Sequence, residues 1–167
     1  MAKIAVILAG AGVQDGSEIH EATLTLYFLD CLGAEVQCFA PNRPQCHVVH
    51  HVTGEPIADQ KRNILQESAR IARGDIRPMT ELDVTAWDAI IMPGGFGAAK
   101  NWCDYAFEGV DMTVAQDIAM MVMRAYASGK VLGCMCIAPV IVAKLIPGVQ
   151  VTVGHTCEVV QHIEAWG

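Results

Sequence analysis

Short apolar runs bounded by glycines alternate with helical segments along the whole chain, and this alternation constrains the fold more than any other feature. Ile4–Leu8 and Asp88–Met92 are nearly continuous apolar runs, which are typical of parallel strands buried on both faces. Parallel strands need crossover connections, which are usually helices. The alternation therefore predicts an α/β fold with a doubly wound, mostly parallel sheet and helices on both faces.

The predicted elements follow from apolar runs, helix caps and glycine or proline stops. The predicted strands are Ile4–Leu8, Glu35–Phe39, an irregular or edge strand at Cys46–Thr53, Asp88–Met92, Val131–Met135 and Val149–Val153. The predicted helices are Ser17–Leu32 with Ser17 as N-cap, Lys61–Arg73 with Asp59 as cap, Val114–Ala127, Ile137–Leu145 and Glu158–Trp166. Ligands of such sheets bind beyond the carboxyl ends of the strands, so the turns there should carry the chemistry.

Composition narrows the class of protein. With 53% hydrophobic and 17% charged residues, the chain is predicted to form one compact domain over residues 1–167, which excludes disorder. A net charge of −7 argues against a nucleic-acid partner. The longest stretches without a charged residue, such as Val131–Ala143, hold 13 residues and are too short to span a membrane, which takes about 20.

The cysteines indicate the compartment. There are seven of them with no CxxC pair, so a secreted disulfide framework is not expected. A reducing interior fits better. We therefore expect a cytoplasmic protein, or a mitochondrial one if a presequence has been removed.

The strongest local signal for chemistry is the segment Val131–Pro139, VLGCMCIAP, in which a buried strand is predicted to end at Cys136 and a helix to begin at once. A sharp strand-to-helix turn of this kind is a nucleophile elbow. The helix N-terminus favours negative charge, so the pattern predicts a reactive thiolate at Cys136. The alternative is a buried packing cysteine, as expected for Cys31, Cys38 and Cys134.

Two further segments supply groups that could assist the thiolate. In the turn PGGFG, Gly94 and Gly95 let backbone amides point into the crevice, where they could form an oxyanion hole with the N–H of Ile137. Glu18 and Glu21 share one face of the first helix, and a carboxyl group in the crevice could move protons. The alternatives are an ordinary glycine turn and acidic residues that favour the helix N-terminus.

Histidines are the remaining candidates. His155 follows the last predicted strand, at a turn that should open on the same crevice. His47, His50 and His51 lie beside Cys46, a grouping that could suggest zinc. No second ligand pair has a recognised spacing, and an edge strand would scatter these side chains between its two faces, so no metal is expected.

Several motifs together resemble one known family. The segments VILAGAGVQDGSEIHEA, ESARIARG, PGGFGAAKN, CIAP and VTVGH are similar to the ElbB-type branch of the ThiJ/PfpI superfamily, over essentially all of residues 3–167. The resemblance implies a class I glutamine amidotransferase-like fold of the flavodoxin type and a homodimer. The last strands and closing helix of the family have no counterpart here, which implies a C-terminally shortened form.

The resemblance also implies roles for individual residues. Cys136 matches the elbow cysteine of the family, and Gly95 with the N–H of Ile137 matches its oxyanion site. His155 matches a histidine downstream of that cysteine. Ile137 stands where proposed peptidases of the superfamily carry histidine, so protease activity is not expected.

The family includes cofactor-independent glyoxalases of the glyoxalase III kind, and this is the expected activity. Cys136 would form a hemithioacetal with glyoxal or methylglyoxal, and Glu21, or else Glu18, would move a proton, giving glycolate or lactate. No cofactor is required, and the expected partner is a small dicarbonyl rather than a nucleic acid or a membrane. The alternatives are a deglycase or other cysteine hydrolase, and a non-enzymatic redox sensor or regulatory protein.

Overall fold

A five-stranded, wholly parallel sheet forms the centre of the computed structural model, which describes all 167 residues. In chain order, the strands are β1 (Lys3–Ile7), β2 (Glu35–Ala40), β3 (Val49–His50), β4 (Glu55–Pro56), β5 (Ile76–Pro78), β6 (Ala89–Met92) and β7 (Val131–Cys134). β3 and β4 form a separate antiparallel pair, and the other five form the sheet. The spatial order is β5-β2-β1-β6-β7. The predicted parallel α/β architecture is confirmed.

Seven helices surround the sheet. They are α1 (Ile19–Cys31), α2 (Ile64–Ile71), α3 (Phe96–Asn101), α4 (Tyr105–Glu108), α5 (Gln116–Ala127), α6 (Pro139–Leu145) and α7 (Glu158–Ala165). Short 3₁₀ turns add Met79–Glu81, Val84–Ala86 and Gly109–Asp111. None of the helices combines the length and the apolar character that crossing a membrane would require.

The sheet separates two apolar cores. Along β1, the side chains of Ile4 and Val6 join a cluster that includes Ala22 of α1 and Ile64 of α2. Those of the alternate positions enter a larger cluster on the opposite face, with residues of α5 and α6. Because successive side chains of a strand point to opposite faces, a continuous apolar run is what burial on both faces requires.

The direction of the strand order reverses between β1 and β6, which pair in register from Ile4 opposite Ala89 to Val6 opposite Ile91. In open parallel sheets the crevice at such a reversal is the usual ligand site. The loops that follow β1 and β6 therefore border the crevice. β7 lies directly beside β6, which brings the turn after Cys134 to the same edge.

Two predicted helix caps are wrong. The N-cap of α1 is Glu18 rather than Ser17, whose hydroxyl oxygen is buried and accepts a hydrogen bond from a backbone amide of the preceding loop. The N-cap of α2 is Asn63 rather than Asp59, because the Asn63 side chain accepts from the backbone N–H of Gln66. The predicted helices therefore start two residues too early at α1 and three residues too early at α2.

The predicted last strand, Val149–Val153, is also wrong. Val149 and Val151 pack partly buried against the larger core, but the segment forms no hydrogen-bonded ladder with β7. Similarly, Cys46–Thr53 contains only the two residues of β3. An alternating or apolar pattern reports burial of side chains, and burial alone does not create strand pairing.

Candidate active site

Buried polar side chains fix the loop between β1 and α1. The Ser17 hydroxyl accepts from the N–H of Ala9 at 2.8 Å, and the Ser68 hydroxyl accepts from the N–H of Gly10 at 2.9 Å. The amide of Asn101 donates to the carbonyl of Ala9 at 2.8 Å. These bonds satisfy backbone groups that have no strand partner, and they set the position at which α1 begins.

This loop packs backbone to backbone against the turn after β6. The N–H of Glu18 donates to the carbonyl of Gly94, and the N–H of Gly97 donates to that of Gly16, each at 2.9 Å. A Cβ atom on Gly97 would lie only 2.5 Å from the Cα of Gly16. The glycines of the PGGFG turn thus permit a close approach that any side chain would prevent. The turn also contains the first residues of α3, an element that was not predicted.

Cys136 stands in the turn between β7 and α6 with its side chain exposed. Its φ of 56° places it in the left-handed region, which a non-glycine residue adopts at a cost in free energy. The strand ends at Cys134 and the helix begins at Pro139, so the predicted strand ran one residue too far and the predicted helix began two residues too early. A sharp, strained turn with an exposed side chain is the geometry of a nucleophile elbow.

The carboxylate of Glu21 lies beside this thiol. Its Oε2 accepts a hydrogen bond of 2.8 Å from the N–H of Gly94. A Cβ atom on Gly94 would lie 2.2 Å from the Cβ of Cys136 and 2.8 Å from Oε2 of Glu21, so those two atoms are within about 5 Å of each other. Because Gly94 has no side chain, the Glu21 carboxylate can approach Cys136 this closely.

Glu18 has a different environment. One of its carboxylate oxygens accepts from the N–H of Glu21 at 2.7 Å, and the other pairs with the ring of His20 at 2.9 Å. Partial burial alone would raise the pKa of Glu18, but the hydrogen bonds from Glu21 and His20 and the charge of His20 outweigh it and lower the pKa. One oxygen thus caps α1, and the other is paired with His20.

Two backbone amides next to Cys136 have no partner within the chain. Neither the N–H of Gly95 nor that of Ile137 donates to a backbone or side-chain acceptor. The N–H of Gly94, by contrast, is already bound to Glu21. Free amides in such a position can stabilise a negative oxygen that develops on a substrate.

Cys136, Gly95 and Ile137 line a pocket of about 330 Å³, whereas Glu21 is not among its lining residues. Its walls are mostly apolar and consist of Val13, Gly95, Phe96, Cys136, Ile137, Val153, Cys157 and Val159. Sequence reasoning identified Cys136, Gly95 and Ile137 but missed the five other residues, whose apolar side chains or thiol carry no recognisable catalytic pattern. Such a volume suits a small ligand.

The remaining predicted residues lie elsewhere. His155 is exposed, its side chain forms no hydrogen bond, and it does not line the pocket of Cys136. Cys31 is exposed at the end of α1, so the prediction that it packs in the core is wrong, whereas Cys38 is buried. No group of three or more histidine, cysteine or acidic side chains is close enough to hold a metal ion.

Comparison with curated proteins gives relatives of high similarity. The chain is 49% identical over 157 residues to the human mitochondrial "glutamine amidotransferase-like class 1 domain-containing protein 3", covering 94% of this chain and 59% of that protein. It is 49% identical to a rat mitochondrial ES1 protein homolog over the same shares. The chain therefore spans less than two thirds of the length of these relatives. No protein-family model matches it.

Solved structures agree on the fold. An Ehrlichia chaffeensis isoprenoid biosynthesis protein with an amidotransferase-like domain superposes with a TM-score of 0.82 at 39% identity, covering 89% of this chain and 70% of that one. A DJ-1 superfamily protein from Salmonella typhimurium gives 0.52 at 25% identity, covering 86% and 60%. A ThiJ/PfpI domain protein from Brachyspira murdochii gives 0.59 at 14% identity, covering 99% and 75%.

Proposed function

The chain belongs to the DJ-1/ThiJ/PfpI superfamily of class I glutamine amidotransferase-like proteins, and on this premise we propose that it is a cofactor-independent glyoxalase. The proposed substrates are glyoxal and methylglyoxal, and the products are glycolate and lactate. The observation that carries the proposal is the Glu21 carboxylate within about 5 Å of the Cys136 Cβ, beside two amides without partners.

The reaction begins at the thiol. The Cys136 thiolate attacks the aldehyde carbon, and the carbonyl oxygen takes a proton to give a hemithioacetal. While that oxygen is negative, the N–H groups of Gly95 and Ile137 are the donors that can stabilise it. The pocket walls around this intermediate are mostly apolar.

Glu21 then moves the proton. Its carboxylate removes the hydrogen from the carbon that carries sulfur, which gives an enediol, and returns a proton to the neighbouring carbon. The product is a thioester of Cys136, and water hydrolyses it to the hydroxy acid and regenerates the thiol. The hydrogen bond from the N–H of Gly94 holds one Glu21 oxygen in place throughout.

The direct test is lactate formation from methylglyoxal without glutathione. We expect the purified protein to produce lactate, the Cys136→Ala variant to produce none above the uncatalysed rate, and the Cys31→Ser variant to retain full activity. Cys31 is a suitable control because its thiol is also exposed but lies at the far end of α1. Equal rates for Cys136→Ala and the unmodified protein would overturn the proposal.

A second assay, on a glycated substrate, separates the rival functions. A deglycase would release amine from a glycated substrate even when a scavenger removes free dicarbonyl, and a regulatory protein would turn over neither substrate. The solved relatives of this superfamily reported above support the fold, while the activity rests on the site chemistry of this chain.

Location and assembly are part of the proposal. The human and rat relatives are named mitochondrial, and we extend that location to this protein, with the cytoplasm as the alternative. For a homodimer, the best-suited surface is the outer face of α1, where Leu24, Tyr27, Phe28 and Leu32 are exposed. Sedimentation of the Phe28→Glu variant tests this: a monomer is expected, and an unchanged dimer would exclude this face.

A further inference from the structure

A second thiol lines the pocket of Cys136. Cys157, the N-cap of α7, forms part of the same wall as Val153 and Val159, and the glyoxalase mechanism does not use it. We propose that Cys157 is a resolving cysteine: when a peroxide oxidises Cys136, the two residues form a reversible disulfide. This inference concerns the thiols alone and does not depend on turnover of a dicarbonyl.

The other five cysteines are less suited to the role of resolving cysteine. Burial raises the pKa of Cys38 to about 12, of Cys103 to about 11 and of Cys134 to about 12, which keeps these thiols protonated. Thiolate is the reactive form, so these three shielded thiols should react more slowly than an exposed one in the folded protein. Cys31 and Cys46 are exposed, but neither lines the pocket.

The segment that carries Cys157 is weakly tied to the fold. Between residues 150 and 157, the only backbone N–H that donates a hydrogen bond is that of His155. A disulfide needs Cα atoms about 4.4–6.8 Å apart, and a segment with so few bonds can move to meet that requirement at low cost. The following helix α7 is anchored further on, where the Trp166 indole donates to the carbonyl of Val110 at 2.7 Å.

The oxidation is a two-electron reaction in two steps. The Cys136 thiolate attacks one peroxide oxygen, the O–O bond breaks, and the departing oxygen takes a proton, which leaves a sulfenic acid. The Cys157 sulfur then attacks the Cys136 sulfur, the S–O bond breaks, and water departs with the thiol proton. Two thiols are oxidised to one disulfide, and hydrogen peroxide is reduced to two molecules of water.

The disulfide would protect the site. Without a resolving thiol, sulfenic acid continues to sulfinic acid, which ordinary thiols cannot reduce. A disulfide is instead reversed by exchange with a dithiol. Closing it would also withdraw the Cys136 nucleophile from the pocket until the bond is reduced.

The experiment is peptide mapping after mild hydrogen peroxide treatment. Trypsin should cut after Lys130 and Lys144, which separates Val131–Lys144 from the C-terminal peptide that contains Cys157. We expect these peptides to be joined, with a mass about 2 Da below their sum. Fragmentation at Met135 should place the link on Cys136 rather than Cys134. Cross-links mainly to Cys31 or Cys46, or only between chains, would overturn the proposal.

A variant provides the second readout. After peroxide treatment, the Cys157→Ser variant should accumulate a Cys136 peptide that is heavier by about 32 Da, the mass that two added oxygens of a sulfinic acid contribute. Dithiothreitol should then restore the Cys136 thiol in the unmodified protein but not in this variant. The matched control Cys46→Ser should behave like the unmodified protein. If Cys157→Ser recovers as much thiol as the unmodified protein, Cys157 is not the resolving residue. The cross-link map does not require that any variant fold.

Discussion

The backbone N–H of Gly94 donates a hydrogen bond of 2.8 Å to Oε2 of Glu21, which lies 73 residues away in the sequence. The same glycine lies against the Cβ of Cys136, with no space for a side chain of its own. A single backbone amide therefore holds a carboxylate against a thiol. Because the bond occupies only one oxygen, the other remains available to accept a proton.

Replacing Glu21 should separate its chemical role from its structural one. Glu21→Gln keeps an oxygen that can accept from Gly94 but cannot take a proton, so we expect lactate formation to fall by about 10²–10⁴ with little change in stability. Glu21→Ala leaves the N–H of Gly94 without its partner, which should cost about 1–3 kcal/mol in the free energy of unfolding. Steady-state kinetics and urea unfolding measure the two effects. Full activity in Glu21→Gln would remove Glu21 from the mechanism.

Gly94→Ala should abolish activity for steric reasons. The new Cβ would lie 2.2 Å from the Cβ of Cys136, so the turn or the thiol must move. The matched control is Gly133→Ala in β7, where the new Cβ would meet Ile91 at an ordinary 3.5 Å. We expect Gly133→Ala to retain most activity, as measured by lactate formation. Comparable losses in both variants would show that general destabilisation, and not the site, is responsible.

Glu18→Ala should destabilise the protein in a pH-dependent way. Loss of the α1 cap is expected to lower the free energy of unfolding by about 1 kcal/mol at pH 7. The folded-state pKa of Glu18 lies below its ordinary value of 4.5, so the carboxylate contributes stability above that value and loses it as the pH falls through the folded pKa. Urea unfolding at pH 7 and pH 3 should therefore show a difference that narrows in acid. A constant difference would contradict the capping role.

Cys136→Gly should be more stable than Cys136→Ala. Glycine adopts a positive φ without the strain that a Cβ causes, which we expect to outweigh the flexibility glycine adds to the unfolded chain, by about 1 kcal/mol. At most positions the order is the reverse. The side chain is exposed, so little packing is lost in either variant. The measurement is urea unfolding of the two variants, and a less stable glycine variant would mean that the turn is not strained.

Much of the sheet could be predicted because burial on both faces leaves a clear mark in the sequence. The runs at Ile4–Leu8 and Asp88–Met92 correspond to β1 and β6. The short β5 has only three residues and could not be seen in this way. Val149–Val153 misled because Val149 and Val151 are partly buried against the core although the segment has no hydrogen-bonded neighbour strand. The hydrophobic pattern of a segment reflects which side chains are buried, whereas strand pairing depends on whether the backbone of a distant segment lies beside it.

The site could be predicted in part for the same reason. Cys136 and the glycines stand at turns that follow strands, and such turns are readable locally. The choice between Glu18 and Glu21 was not readable, because it depends on which carboxylate reaches Gly94 across the sheet edge. The position of Cys157 in the pocket wall was not readable either, because residues 150–157, which bring it to the site, have no helix or strand.

The dependence of the Glu21–Gly94 contact on distant segments has a consequence for biosynthesis. Contacts between residues far apart in sequence form late, after the loops between them have closed. A chain emerging from the ribosome therefore carries seven cysteines with no carboxylate or oxyanion amides arranged around any of them. The reactivity that we propose for Cys136 would arise only as β6 and β7 join the sheet. Damage by electrophiles during synthesis should accordingly be spread over all the cysteines, and damage to the finished protein should concentrate on one.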